Sequence, residues 1–135
     1  MKLYIYKHCP FSVRVRYVAR MHNIQLEVIN IAYDDKTTTD LIGTKQVPLL
    51  IKDNGEVMAE SQNIIAYFLE LATSSKTGQP SQQVLDWQKI AFLQLQKVAC
   101  PSCSNMDLPE FVTLSAQQAW CAKKETDALN FDALL

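Results

Sequence analysis

The chain has 135 residues, a length suited to one domain and short for two, with 48% hydrophobic, 20% charged and 9% aromatic residues and only 3 Gly and 5 Pro. That balance supplies enough apolar side chain for a core and excludes a disordered or fibrous chain. Lys and Arg number 13 against 14 Asp and Glu, a formal net charge of -1, so neither a nucleic acid nor an anionic membrane surface is an expected partner.

Residues 3–6 (LYIY) read as a buried strand, followed by Lys7-His8-Cys9-Pro10. Met1-Lys2 leads straight into that strand instead of a secretory leader, and no apolar run approaches the roughly 18 residues of a membrane span. A soluble cytoplasmic protein is therefore expected. Pro10 opens a helix, where a missing N–H costs nothing. Val13, Tyr17, Val18 and Met21 make an apolar stripe along it, with Arg14, Arg16 and Arg20 off the stripe. Residues 26–29 form the second strand, and the polar stretch 34–39 enters a short helix ending near Gly43. Residues 47–51, opened by Pro48, are the third strand. Asp53-Asn54-Gly55 is a hairpin turn, because Asn-Gly supplies the positive φ angles a tight turn needs. Residues 56–59 return as the fourth strand, and Ser61 caps a helix whose stripe is Ile64, Ile65, Phe68 and Leu69. The order βαβαββα is that of an α/β thioredoxin-like domain, a mixed sheet carrying helices on both faces.

Residues 73–81 (TSSKTGQPS) are small and polar, punctuated by Gly78 and Pro80, and read as a linker. Everything after them reads as helix. Val84, Trp87, Ala91, Leu95 and Val98 form one apolar face and Leu85, Ile90 and Phe92 a second, so this helix is expected to be buried on two sides and to end at Cys100-Pro101. A further helix is expected over 109–127, using Phe111, Leu114 and Trp120. The division is then a thioredoxin-like domain over 1–72, a linker over 73–81 and an all-α region over 82–135.

Cysteines stand at positions 9, 100, 103 and 121, spaced irregularly, and reduced thiols are expected rather than a disulfide framework. Cys9 follows a strand and precedes a helix, so its sulfur belongs at that helix's N-terminus. The positive end of the dipole and the free N–H groups there stabilise a thiolate, the attacking species in thiol–disulfide exchange. Lys7 and Arg14 are near enough in sequence to add positive potential, and His8 is placed to tune the thiol. A buried structural cysteine is the plainer alternative, but the place just before a helix-opening proline favours a reactive one. His22 reads as a cation near a helix C-terminus. Cys100-Pro101-Ser102-Cys103 is a C-x-x-C without the preceding strand a redox motif wants, and zinc would need a second ligand pair. Helix termination with incidental thiols is the preferred reading there, and no metal is expected.

Cys9-Pro10-Phe11-Ser12 after a first strand, Lys45-Gln46-Val47-Pro48, and Glu60-Ser61 opening a helix resemble glutaredoxins and glutathione transferases. With Lys123-Lys124-Glu125 and Asn130-Phe131 near the end, the chain most resembles the two-domain glutaredoxin 2 family. The likeness covers the whole chain and is dense up to about Tyr67. It implies a glutathione-dependent oxidoreductase with glutathione as co-substrate and Cys9 as nucleophile, supported by Lys7, Pro10, Phe11 and Ser12. It also implies a cis Val47-Pro48 peptide that leaves the Val47 backbone to pair with glutathione like an added strand. Glu60 and Ser61 would hold the γ-glutamyl end, its carboxylate at the helix N-terminus and its amino group near Glu60. Ser61 serves equally as a plain N-cap. Lys45 is either the partner of the glycyl carboxylate or a solvated surface lysine.

Dithiol glutaredoxins carry a second cysteine where this chain has Ser12. A hydroxyl cannot form or resolve a disulfide, so the chemistry left is monothiol. Cys9 takes a glutathionyl group from a mixed disulfide, and a second glutathione releases it. The same serine occurs in omega-type glutathione transferases and intracellular chloride-channel proteins, so an omega-like transferase is an alternative. A non-catalytic, partner-binding protein on this fold, of the stringent starvation protein A type, is another. Retention of Cys9, Lys45, Val47-Pro48 and Glu60-Ser61 argues against the latter. Pro10-Phe11 in place of Gly-Phe disfavours a glutathione-bridged iron–sulfur role. The helical region is shorter than in the resembled family, implying a fragment that stops partway through it. Two-sided apolar helices would then leave surface exposed unless a second chain covers it, and a homodimer through this region is expected.

Overall fold

The computed structural model describes residues 1–73 and 81–134. Most of the expected linker lies outside the described residues. Four strands form one mixed sheet in the order β2-β1-β3-β4: β1 (Lys2–Ile5), β2 (Glu27–Asn30), β3 (Leu49–Ile51) and β4 (Val57–Met58). β1 runs parallel to β2, pairing Leu3 with Val28, and antiparallel to β3, pairing Leu3 with Leu50. β3 and β4 are joined by the expected hairpin, in which Gly55 has φ 85° and its N–H donates to the Lys52 carbonyl at 3.0 Å. The parallel β1–β2 pair needs a crossover, and α1 (Pro10–Met21) supplies it. α2 (Thr37–Ile42) ends at Gly43 in the left-handed conformation, and α3 (Ser61–Leu71) follows the hairpin. The thioredoxin-like βαβαββα order is therefore as expected, with strand bounds one or two residues from those read in the sequence.

Because side chains alternate across a strand, the sheet has two apolar faces and builds two cores. Leu3, Ile5 and Leu50 pack with Val15 and Ala19 of α1 and Ile64 and Phe68 of α3. On the other side Tyr4, Tyr6, Ile29 and Ile31 pack with residues of the helical region. That region consists of α4 (Gln82–Cys103), a 3-10 turn (Pro109–Phe111), α5 (Leu114–Lys124) and α6 (Phe131–Leu134). Its Cys100, Cys103, Phe111, Ala116, Trp120, Leu129 and Phe131 share one cluster with Tyr6, Cys9, Ile31 and Tyr33. Docking of the helical region on the sheet is thus an extension of the sheet's own core.

Three details differ from the sequence reading. The buried face of α1 is Ser12, Val15 and Ala19, while Val13, Tyr17 and Met21 are exposed. The small residues let α1 lie close to the sheet and alongside α3, and proximity outweighed the greater hydrophobicity of the other stripe. α4 continues through Pro101 to Cys103. Its two apolar faces are exposed, with Trp87 64%, Ile90 75% and Val98 82% accessible, because among the described residues only its last turn joins the core. The helix expected over 109–127 is broken: the 3-10 turn ends at Phe111, and Thr113 caps α5 by accepting the Ala116 N–H at 3.2 Å. Phe111 and Trp120 are buried as expected, whereas Leu114 is exposed.

Candidate active site

β1 delivers the chain into a four-residue turn, Tyr6 to Cys9, closed by the Cys9 N–H donating to the Tyr6 carbonyl at 3.2 Å. Cys9 is the N-cap of α1, with extended φ −70° and ψ 118°, and its carbonyl accepts the first helical bond, from Val13 N–H at 3.0 Å. Pro10 has no N–H, so the free donors of the first turn are those of Phe11 and Ser12. Cys9 is buried, 9% exposed, and as the N-cap it stands at the positive end of the α1 dipole, without a side-chain cap bond. Lys7 is exposed and Phe11 partly so, whereas Ser12 is fully buried and its hydroxyl has no partner among the described residues.

The residues expected to hold glutathione lie around this turn in a chain of contacts. Val47-Pro48 is a cis peptide, and Val47 packs against the cluster that contains Cys9. Among the described residues neither the N–H nor the C=O of Val47 is engaged by the rest of the backbone. Gln46 Nε2 donates to Glu60 Oε1 at 2.6 Å, linking the loop before Pro48 to the start of α3. Glu60, at φ 66° and ψ 115°, is the N-cap of α3, and Ser61 is its first helical residue. This corrects the reading of Ser61 as the cap. Its buried Oγ accepts instead from Arg14 Nε at 3.0 Å and from Arg14 Nη2. Arg14, 5.0 Å over the Phe11 ring, is thereby committed to α3. Since the Ile64 N–H bonds the Glu60 carbonyl, the amides of residues 61–63 are left at the open end of α3, where an anionic group is favoured. Lys45 Nζ stands 3.7 Å over the Tyr33 ring, and burial lowers its pKa against the opposing pull of Asp34.

His8 and Glu110 were the least legible part. Glu110, fully buried in the 3-10 turn, accepts the His8 backbone N–H at Oε1 (2.8 Å), and the same oxygen lies 2.6 Å from His8 Nδ1. Tyr6, Phe111 and Trp120 surround the His8 ring at centroid distances of 5.8, 5.2 and 4.8 Å. Burial lowers the His8 pKa below its ordinary value, opposed by the hydrogen bond and charge of Glu110. The one hint in the sequence is a carboxylate set between apolar Leu108-Pro109 and Phe111.

All four cysteines are free thiols. Burial pushes up the thiols of Cys100 and Cys103 in the last turn of α4, which disfavours their thiolates. The Trp120 indole N–H donates to the Cys100 carbonyl at 3.1 Å, so this turn is stitched into the core. Among the described residues no group of three or more His, Cys, Asp or Glu is arranged to hold a metal, and no helix is long and apolar enough to cross a membrane.

A thiol at a helix N-terminus and a cis-proline loop packed against the cluster that contains it are features of a thioredoxin-type fold. Residues 3–76 match the glutathione S-transferase N-terminal domain family, and the chain belongs to that family. Glutaredoxin 2 of Escherichia coli strain K12 is a homologue, 36% identical over 137 aligned positions that take in 100% of this chain and 64% of the relative. Glutaredoxin 2 from Salmonella typhimurium, solved in complex with glutathione, superposes with a TM-score of 0.90 at 33% identity, covering 98% of this chain and 62% of that one. A trimeric glutathione transferase from Leishmania shares the fold at a TM-score of 0.50 and 20% identity, covering 93% of this chain and 32% of that one. The chain thus spans 64% of the length of the curated glutaredoxin it matches.

Proposed function

We propose that the chain is a glutathione-dependent thiol–disulfide oxidoreductase working by a monothiol route through Cys9. The Cys9 thiolate attacks the glutathionyl sulfur of a mixed disulfide, forming Cys9–S–SG and expelling the substrate thiolate. A glutathione thiolate then attacks Cys9–S–SG, releasing oxidised glutathione and regenerating Cys9. Ser12 takes no part, since a hydroxyl cannot close a disulfide. The observation that carries this reading is the placement of Cys9 at the start of α1 beside Val47. The solved relative bound to glutathione supports the same ligand here. In this reading the Val47 backbone pairs with the cysteinyl unit, and the start of α3 takes the γ-glutamyl carboxylate, with Glu60 near its amino group. Lys45 meets the glycyl carboxylate. Four free thiols suit a reducing compartment such as the cytoplasm. Self-association through the exposed face of α4 belongs to this reading, and a monomer by light scattering excludes it.

Membership of the transferase family makes conjugation to an electrophile the second reading. One assay separates the two: the protein and glutathione are offered a glutathionylated disulfide and, separately, a chlorinated aromatic. Turnover is expected with the disulfide, abolished by Cys9→Ser and kept in Ser12→Ala, whose lost hydroxyl has no partner among the described residues. Disulfide turnover that survives Cys9→Ser would sink the mechanism.

A further inference from the structure

We propose that Glu110 is a positioning residue for Cys9, holding from the helical half of the chain the turn that presents the sulfur. The proposal rests on the reading of Cys9 as the nucleophile. Within the turn, the N–H of Cys9 closes the loop onto Tyr6, which leaves the N–H of His8 directed away from it. Glu110 Oε1 accepts that N–H at 2.8 Å and meets His8 Nδ1 at 2.6 Å. A single oxygen therefore fixes both the backbone and the ring of the residue immediately before the nucleophile.

Glu110 is itself held. Its peptide carbonyl accepts the Tyr33 N–H at 2.9 Å, and its neighbour Phe111 stacks on the His8 ring. A buried carboxylate is costly unless it is hydrogen-bonded. Among the described residues this one has no side-chain partner but His8, 102 positions away, and Oε2 has none. A carboxylate serving only its own segment would bond within that segment; this one serves the turn at Cys9. The His8 backbone N–H donates to that oxygen and Nδ1 faces the same atom, so what the backbone of the turn needs at that point is an acceptor oxygen rather than a negative charge. Glutamine carries such an oxygen at the same reach, and alanine does not.

The test uses the full chain as wild type, Glu110→Gln and Glu110→Ala, with glutathione and a glutathionylated disulfide. Glu110→Ala should lower kcat tenfold or more, with KM for glutathione within twofold, because Val47, Glu60 and Ser61 are untouched. Glu110→Gln should recover kcat to within threefold of wild type. Wild-type kcat in the alanine variant, or a glutamine variant as slow as the alanine one, overturns the proposal. Hydrogen exchange of the His8 backbone amide, followed by NMR, decides the clamp without reference to turnover. Slow exchange in wild type and Glu110→Gln is expected, and fast exchange in wild type refutes it. If the chain is inactive on the disulfide, the functional reading fails and the exchange measurement alone decides the clamp. If the alanine variant does not fold, the glutamine variant and the exchange measurement decide it.

Discussion

Tyr33→Phe removes one phenol and keeps the ring that lies beneath Lys45 and against Trp120. Burial pushes the Tyr33 pKa from 10.0 up to about 12, with the charges of Cys100 and Cys9 adding to the effect. The folded-state value is the higher one, so the buried phenol's contribution to stability is fully present below pH 10. It is lost as pH rises from 10 through about 12, where the unfolded chain releases the proton and the folded one retains it. Each pKa unit corresponds to about 1.4 kcal/mol, which caps this group's share at about 3 kcal/mol. That is a substantial part of a typical domain stability of roughly 5–15 kcal/mol. The assay is urea unfolding of wild type and Tyr33→Phe below pH 10 and near pH 12, together with the difference between their phenolate absorption titrations. The variant should lose less stability across this window, by up to about 3 kcal/mol, and the difference titration should centre near pH 12. A folded-state difference centred near pH 10, or equal stability losses in both proteins, refutes the reasoning.

Two further outcomes are expected. Phe68→Ala, at a fully buried position between α3 and the sheet, should cost about 3–5 kcal/mol in urea unfolding; a cost below about 1 kcal/mol would mean that this core is not packed as described. Glu60→Gln keeps an oxygen for the Gln46 amide but loses the charge, so KM for glutathione should rise about tenfold at unchanged kcat, and an unchanged KM removes Glu60 from glutathione recognition.

The strand and turn grammar of the first 70 residues was legible because it is local. Pro10 marks the start of α1, Asp53-Asn54-Gly55 makes the hairpin, and Gly43 takes the left-handed φ that ends α2. Cys9 was singled out because strand, thiol, proline and helix follow one another directly in sequence, whereas the cis Val47-Pro48 loop was expected only from the family resemblance. What failed was the choice between competing faces. Val13, Tyr17 and Met21 are spaced like a core stripe, yet Ser12, Val15 and Ala19 are buried, because close approach to the sheet selects small side chains. The role of Glu110 was barely legible for a different reason. Its partner lies 102 residues away, and no periodicity connects a carboxylate in a short 3-10 turn to the residue before a thiol. A separation of 47 residues likewise hid the bond from Arg14 to Ser61 of another helix; Arg14 was expected to add positive potential near Cys9 instead.

Residue 60 sets recognition and conformational ease against each other. A glutamate at φ 66° and ψ 115° occupies backbone territory that glycine enters freely and other residues enter at a cost on the order of 1–3 kcal/mol. Glycine there would relax the backbone and erase the carboxylate that Gln46 engages. The chain keeps the strained residue in contact with the loop before Pro48. A search for stabilising substitutions would therefore be drawn first to Glu60, the position where a sturdier protein is expected to be a poorer binder.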